Sequence, residues 1–139
     1  MCRETPLVIL LALVLCAAIA GCGKKESAAG ATADATAKAF AEAMEAGQYE
    51  QAATAFDYLT EARKQNENWD DIPAGERAQI TKKVAAQKAD ELKAVKQRLG
   101  SGIKAGTAQG DTVSVGGSGG SVTLQIVQRE GKWYVSALW

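Results

Sequence analysis

The chain has 139 residues, with 16 basic and 16 acidic side chains, three cysteines and no histidine. The length suits one small domain. Zero net charge leaves no electrostatic footprint for nucleic acid, whose binding rests on phosphate neutralisation. The lack of histidine excludes Ser-His and Cys-His nucleophile pairs and the HExxH metal helix.

Residues 1–22 read as an address. Arg3 and the amino terminus precede an apolar run from Leu7 to Ala20, which is about 14 residues long. A bilayer-spanning helix needs roughly 20, so the run reads as the apolar core of a secretory signal peptide, residues 1–21. It ends in Ile19-Ala20-Gly21-Cys22. This resembles the bacterial lipobox, in which signal peptidase II recognises an aliphatic residue and two small ones ahead of the cysteine. The resemblance implies lipidation of Cys22 with acyl chains such as palmitate, after cleavage that removes Cys2 and Cys16. Each buried methylene of such chains contributes about 0.8 kcal/mol to membrane holding. The mature protein is then expected to have neither a free thiol nor a disulfide. Gly23 is not the aspartate linked to inner-membrane retention in some Gram-negative bacteria, so the resemblance implies an outer-membrane protein facing the periplasm if the envelope is Gram-negative.

Residues 23–33 carry no large apolar side chain and no period, which predicts a flexible tether behind the lipidated cysteine. Lys24 and Lys25 suit either contact with anionic headgroups or a solvated linker. The folded domain is expected over 34–139. Ala37, Phe40, Ala41 and Met44 share one helical face, with Asp34 or Thr36 as cap and Gly47 as stop. A second helix is expected to carry Tyr49, Ala52, Ala53, Phe56 and Leu59 on one face. Residues 66–73 break the pattern, with Asp70 or Asp71 available to cap a long helix over 74–99. Ile80, Val84, Leu92, Val95 and Leu99 lie on one arc of that helix, and Gly100 stops it.

From there the period becomes two. Val113 and Val115 alternate, residues 116–120 form a glycine-rich loop, and Val122, Leu124 and Ile126 alternate again. A turn at Glu130-Gly131 pairs positions whose numbers sum to 261, which sets Ile126 against Val135, Leu124 against Ala137 and Val122 against Trp139, with Trp133 on the same face. One side of the sheet is thus apolar and the other mostly wet, as in an α+β fold with helices over one face of a short antiparallel sheet. No internal repeat is visible.

The segment Phe40-Ala-Glu-Ala-Met-Glu-Ala-Gly-Gln-Tyr-Glu-Gln-Ala52 resembles the first helical pair of NTF2-like (cystatin-like) domains. The end, Glu130-Gly-Lys-Trp-Tyr-Val135 within residues 122–139, is similar to their closing hairpin, and especially to that of small bacterial lipoproteins of the DUF4878 type. The resemblance implies a curved sheet around the long helix, with a pocket between them.

No catalytic constellation is legible. The acids mostly alternate with bases on helix faces. Glu67, Asp70 and Asp71 lack the spacing of a calcium loop, and residues 116–120 lead into no phosphate-binding helix. No cofactor, metal or catalytic residue is therefore expected. Lys88 is the anomaly, because it sits at the centre of the apolar arc, where an unpaired ammonium is costly. It either snorkels along its stem, marks a bend, or reaches a polar cavity. In the last case it is a pocket residue, with Trp69, Tyr49 and Tyr134 as candidate walls. The expected role is a membrane-anchored, non-catalytic binding or interaction domain for a small molecule, a peptide or an envelope protein. One alternative is a hydrolase or isomerase of the superfamily that uses a lone carboxylate of raised pKa. Another is a structural spacer or assembly partner, with an apolar patch at Val127, Tyr134 and Leu138.

Overall fold

A computed structural model describes residues 27–139. The expected signal peptide, Cys22 and the first part of the expected tether lie outside the described residues. The architecture is α+β. Helices α1 (Ala33–Glu45), α2 (Tyr49–Ala53), α3 (Tyr58–Gln65) and α4 (Ala74–Leu99) pack on one antiparallel sheet. Its strands β1 (Lys104–Ala105), β2 (Thr112–Gly117), β3 (Gly120–Arg129) and β4 (Lys132–Leu138) lie side by side in chain order. No helix among the described residues is long and apolar enough to cross a membrane.

The tether docks earlier than expected. Ala28 and Ala29 are buried. Ala28 N–H donates to Thr54 Oγ1 at 2.7 Å, and Trp133 N–H donates to Gly30 O at 2.9 Å. Residues 27–32 are therefore a strap along the outer edge of β4, and the ordered chain begins before residue 34. Small side chains, read as flexibility, are what let this segment lie flat against the sheet edge. The helix cap moves with it. Thr32 Oγ1 accepts from Ala35 N–H. Asp34 instead accepts from Ala108 N–H at 2.7 Å. Thr36, fully buried, accepts from Gly30 N–H at 2.9 Å and reaches Trp133 O at 2.9 Å.

The expected second helix is two. Thr54 Oγ1 turns back to Gln51 O at 2.6 Å, a local bond that competes with helix continuation. Asp57 then caps a new helix by accepting from Thr60 N–H. The break lets Ala55 O accept from Val135 N–H at 2.8 Å, so β4's outer edge is covered a second time. It leaves Leu59, expected on the buried face, 47% exposed. The long helix begins and ends as expected. Pro73, rather than either aspartate, stands at its N-cap, because Asp70 and Asp71 belong to a 3₁₀ turn with the buried Trp69.

Two cores form. The larger joins Phe40 and Met44 of α1, Leu92, Val95 and Leu99 of α4, and the inward strand residues Val113, Val115, Val122, Leu124, Ile126 and Val135. Phe40 meets Phe56 edge to face, with ring centroids 6.0 Å apart. The smaller joins Ala62, Trp69 and Val84, with Tyr58, Ile72 and Ile80 against them.

The expected glycine-rich loop is a tight two-residue turn at Ser118-Gly119 that docks on the end of α4, where Gly119 N–H donates to Leu99 O at 2.9 Å. A Cβ on Gly117 would collide with Leu99 O, so the backbone approach itself demands glycine. In the β3–β4 hairpin the register follows the sum 261 as far as Ile126 against Val135. A bulge then sets Gln125 against Ala137 and Leu124 against Leu138. Trp139 consequently pairs with Thr123, not Val122, and is 61% exposed. Leu138 turns against the large core, so the expected outer patch of Val127, Tyr134 and Leu138 does not form.

Candidate functional site

The seam between the two cores falls on α4. Val84 belongs to the small core and Leu92 to the large one, and Lys88 lies one turn from each. Its stem is mostly buried, with 26% of the side chain exposed. Its Nζ sits 2.7 Å from Glu91 Oε2 and 5.0 Å from the centre of the Phe56 ring. The side chain does snorkel, and it does so across a cleft.

That cleft has two lobes that share Phe56, Lys88 and Ser136. The polar lobe, about 70 Å³, lies between α3, α4 and the β3–β4 hairpin and includes Asp57, Tyr58, Lys64 and Arg129. The second, about 100 Å³, is lined by Leu92, Val95, Ala137 and Leu138, with Glu91 at its rim. The α2–α3 break creates the polar lobe, because it turns Phe56 inward and puts Asp57 at a helix start.

Most polar groups of the cleft are engaged. Asp57 Oδ2 receives Arg129 Nε at 2.6 Å and the Thr60 hydroxyl at 2.6 Å. The Ser136 hydroxyl donates to Gln125 O at 3.3 Å. Asp57 Oδ1 also accepts from Thr60 N–H, so both carboxyl oxygens already have donors, a poor arrangement for taking up a substrate proton. Among the cleft's donors, the buried Tyr58 Oη makes no hydrogen bond to the described residues, whereas Lys64 is exposed and Lys88 meets Glu91 at the exposed rim. Burial pushes the Tyr58 phenol above its ordinary value.

The structure does not gather the four expected pocket residues. Lys88 lines both lobes. Tyr49 lines a separate groove against α4, with Lys93 and Ala89. Trp69 belongs to the small core, and Tyr134 lies opposite Val127 in the hairpin. Tyr58, Phe56 and Arg129 were missed. The signal for them was Asp57 three residues before Thr60, a cap in the middle of an apparently continuous helix.

A larger, open apolar groove of about 570 Å³ separates α1 from β1. Its central acid is structural. Glu45 accepts from Ile103 N–H at 3.0 Å, Gly102 N–H at 3.1 Å and Lys96 Nζ at 3.1 Å. The two backbone donors, followed by the lysine, hold its carboxyl down to about 2. Among the described residues no group of three acids or cysteines is placed to hold a metal ion. No family model matches the chain, and neither a curated protein nor a solved structure matches it.

Proposed function

We propose that this chain is a lipid-anchored protein of a bacterial envelope whose α+β domain binds a ligand or partner without catalysing a reaction, and that the domain is an NTF2-like one of the DUF4878 lipoprotein type. The observation that carries the anchoring is Ile19-Ala20-Gly21-Cys22 directly after the apolar run. The binding reading is supported by the cleft at Lys88, a recess lined by both charged and apolar side chains, in which Asp57 is already engaged by Arg129 and Thr60.

The docked strap sharpens what anchoring would mean. Four residues separate Cys22 from Ser27. Fully extended, that stretch of chain spans at most about 18 Å. A domain tethered this way works at the bilayer surface and meets partners that are themselves membrane-bound or diffuse to it.

Cys22→Ser tests the anchoring. The wild-type protein is expected in the membrane fraction with a mass raised by acylation, and the variant is expected in the soluble envelope fraction. A processed variant with unchanged membrane association would overturn the reading.

A further inference from the structure

We infer that residues 27–31 are a releasable reserve of tether, which lifts from β4 while the domain stays folded and so roughly doubles the reach of the lipid anchor. The gain in reach rests on the anchoring reading, whereas the release itself is independent of lipidation.

Four observations lead there. First, the strap adds little to the core. Its side chains are those of Ser27, Ala28, Ala29, Gly30 and Ala31, and Ala28 alone among them is part of the large core. The rest of the same edge is covered by Ala55 and Phe56, and both belong to that core. Second, each group that the strap bonds keeps another partner or meets water. Thr54 Oγ1 receives Ala28 N–H but also donates to Gln51 O at 2.6 Å. Thr36 Oγ1 receives Gly30 N–H but lies 3.1 Å from Thr32 O and 2.9 Å from Trp133 O. Trp133 N–H, which donates to Gly30 O, sits on the sheet edge and faces water once the strap leaves. Third, the hinge is already in place. Ala31 and Thr32 are exposed, and Thr32 caps α1 by accepting from Ala35 N–H. The helix therefore keeps its cap when the residues before Thr32 lift. Fourth, the contacts stand in series from the anchor side. Ser27 Oγ donates to Thr54 O at 3.1 Å, Ala28 N–H donates to Thr54 Oγ1, and Gly30 then meets Trp133 and Thr36. A load on the anchor falls on one contact at a time, and the backbone freedom regained by each freed residue offsets the bonds lost.

The chain sets the gain. With the strap docked, the stretch from Cys22 to Ser27 spans at most about 18 Å, and with it lifted the stretch from Cys22 to Thr32 spans at most about 36 Å. The domain can then follow a partner away from the bilayer with no change in its fold.

The test has two arms. The first is amide hydrogen exchange on the soluble Cys22→Ser chain, which needs no anchor. The Ala28, Gly30 and Trp133 amides are expected to exchange about a hundredfold faster than those of Val113 and Val115, with little dependence on low urea, because release exposes little surface. The Val135 amide, on the same edge but bonded to Ala55 O, should exchange with the sheet. The second arm is energy transfer from the tryptophans of the lipidated chain to a dansyl-labelled headgroup in phosphatidylethanolamine–phosphatidylglycerol vesicles. A Cβ on Gly30 would lie 3.1 Å from Ala35 Cβ and 3.2 Å from Thr36 N, and the γ-methyls of valine crowd the site further, so Gly30→Val should hold the strap off. Ala28→Asp should do so independently, because Ala28 is 3% exposed and a carboxylate there has to leave. Both variants should still unfold cooperatively, and transfer should fall about twofold or more. Exchange of Gly30 and Trp133 at the rate of β2 overturns the inference. So does unchanged transfer from either folded variant, or loss of the fold in both. Wild-type chain that stays off the vesicles overturns the anchoring reading and the gain in reach with it, while the exchange result stands on its own.

Discussion

Tyr58→Phe should make the protein more stable. Tyr58 Oη is buried and bonds to nothing in the protein, and an unsatisfied buried polar group costs about 1–3 kcal/mol. The ring itself packs against both cores, and phenylalanine retains that packing. Part of the gain is lost to the small gap left by the oxygen, so a net increase of about 1 kcal/mol is expected. For a domain of this size that corresponds to a rise in Tm of about 4 °C. Urea unfolding followed by tryptophan fluorescence measures it, since Trp69 lies in the small core beside Tyr58. The midpoint should rise with an unchanged slope. Ultraviolet titration is a second readout. The Tyr58 phenol is pushed up by burial, so the wild-type protein should hold one tyrosine un-ionised where model phenols titrate, and the variant should not. A loss of 1 kcal/mol on substitution would refute the reasoning, because it would show the hydroxyl to be well bonded in solution.

Two further substitutions probe the frame. Glu45→Gln should lower Tm at neutral pH and flatten its acid dependence. The folded carboxyl titrates near 2, against 4.5 for an ordinary one, so its contribution is present above about pH 4.5 and is lost as pH falls toward 2; Tm measured against pH for both proteins checks this. Thr36→Val should cost about 1–3 kcal/mol, because Gly30 N–H and Trp133 O each lose a partner at a fully buried site. Amide exchange at Gly30 should then accelerate more than exchange in β2, showing that the strap lifts before the sheet opens.

The parts of the fold that local periodicity controls were legible. Ile80, Val84, Leu92, Val95 and Leu99 define α4, and its bounds at Ala74 and Leu99 follow from Pro73 and Gly100. Alternation located β2 to β4, and the Glu130-Gly131 turn fixed the hairpin register as far as Ile126. What escaped depends on tertiary partners. The strap is ordered by a sheet edge about a hundred residues away in sequence. The bulge after Val135 is invisible to an alternation rule, because one extra residue reverses the inside and outside assignment of everything beyond it. The glycines of residues 116–120 were read as conformational freedom, whereas at Gly117 the cause is close approach of α4's last carbonyl.

Lys88 shows where sequence reasoning about a site stops. Its place in the apolar arc was plain, and snorkelling, bending and a polar cavity were each physically acceptable there. The choice among them depends on what α4 packs against one turn to either side. Had one continuous core covered that face, the ammonium would need a long excursion to water, and an aliphatic residue would be more stable. Instead the helix crosses from the core of Trp69 to the core of Phe40, and the cores do not merge. The α2–α3 break stands between them, with Phe56 in the larger core and Tyr58 packed against both. A charged side chain at that seam is tolerated because Phe56 offers a ring face and Glu91 an exposed acceptor. The same geometry that makes Lys88 tolerable leaves it bordering both recesses of the cleft, so the charge set within the apolar arc of the helix stands where the two cores part.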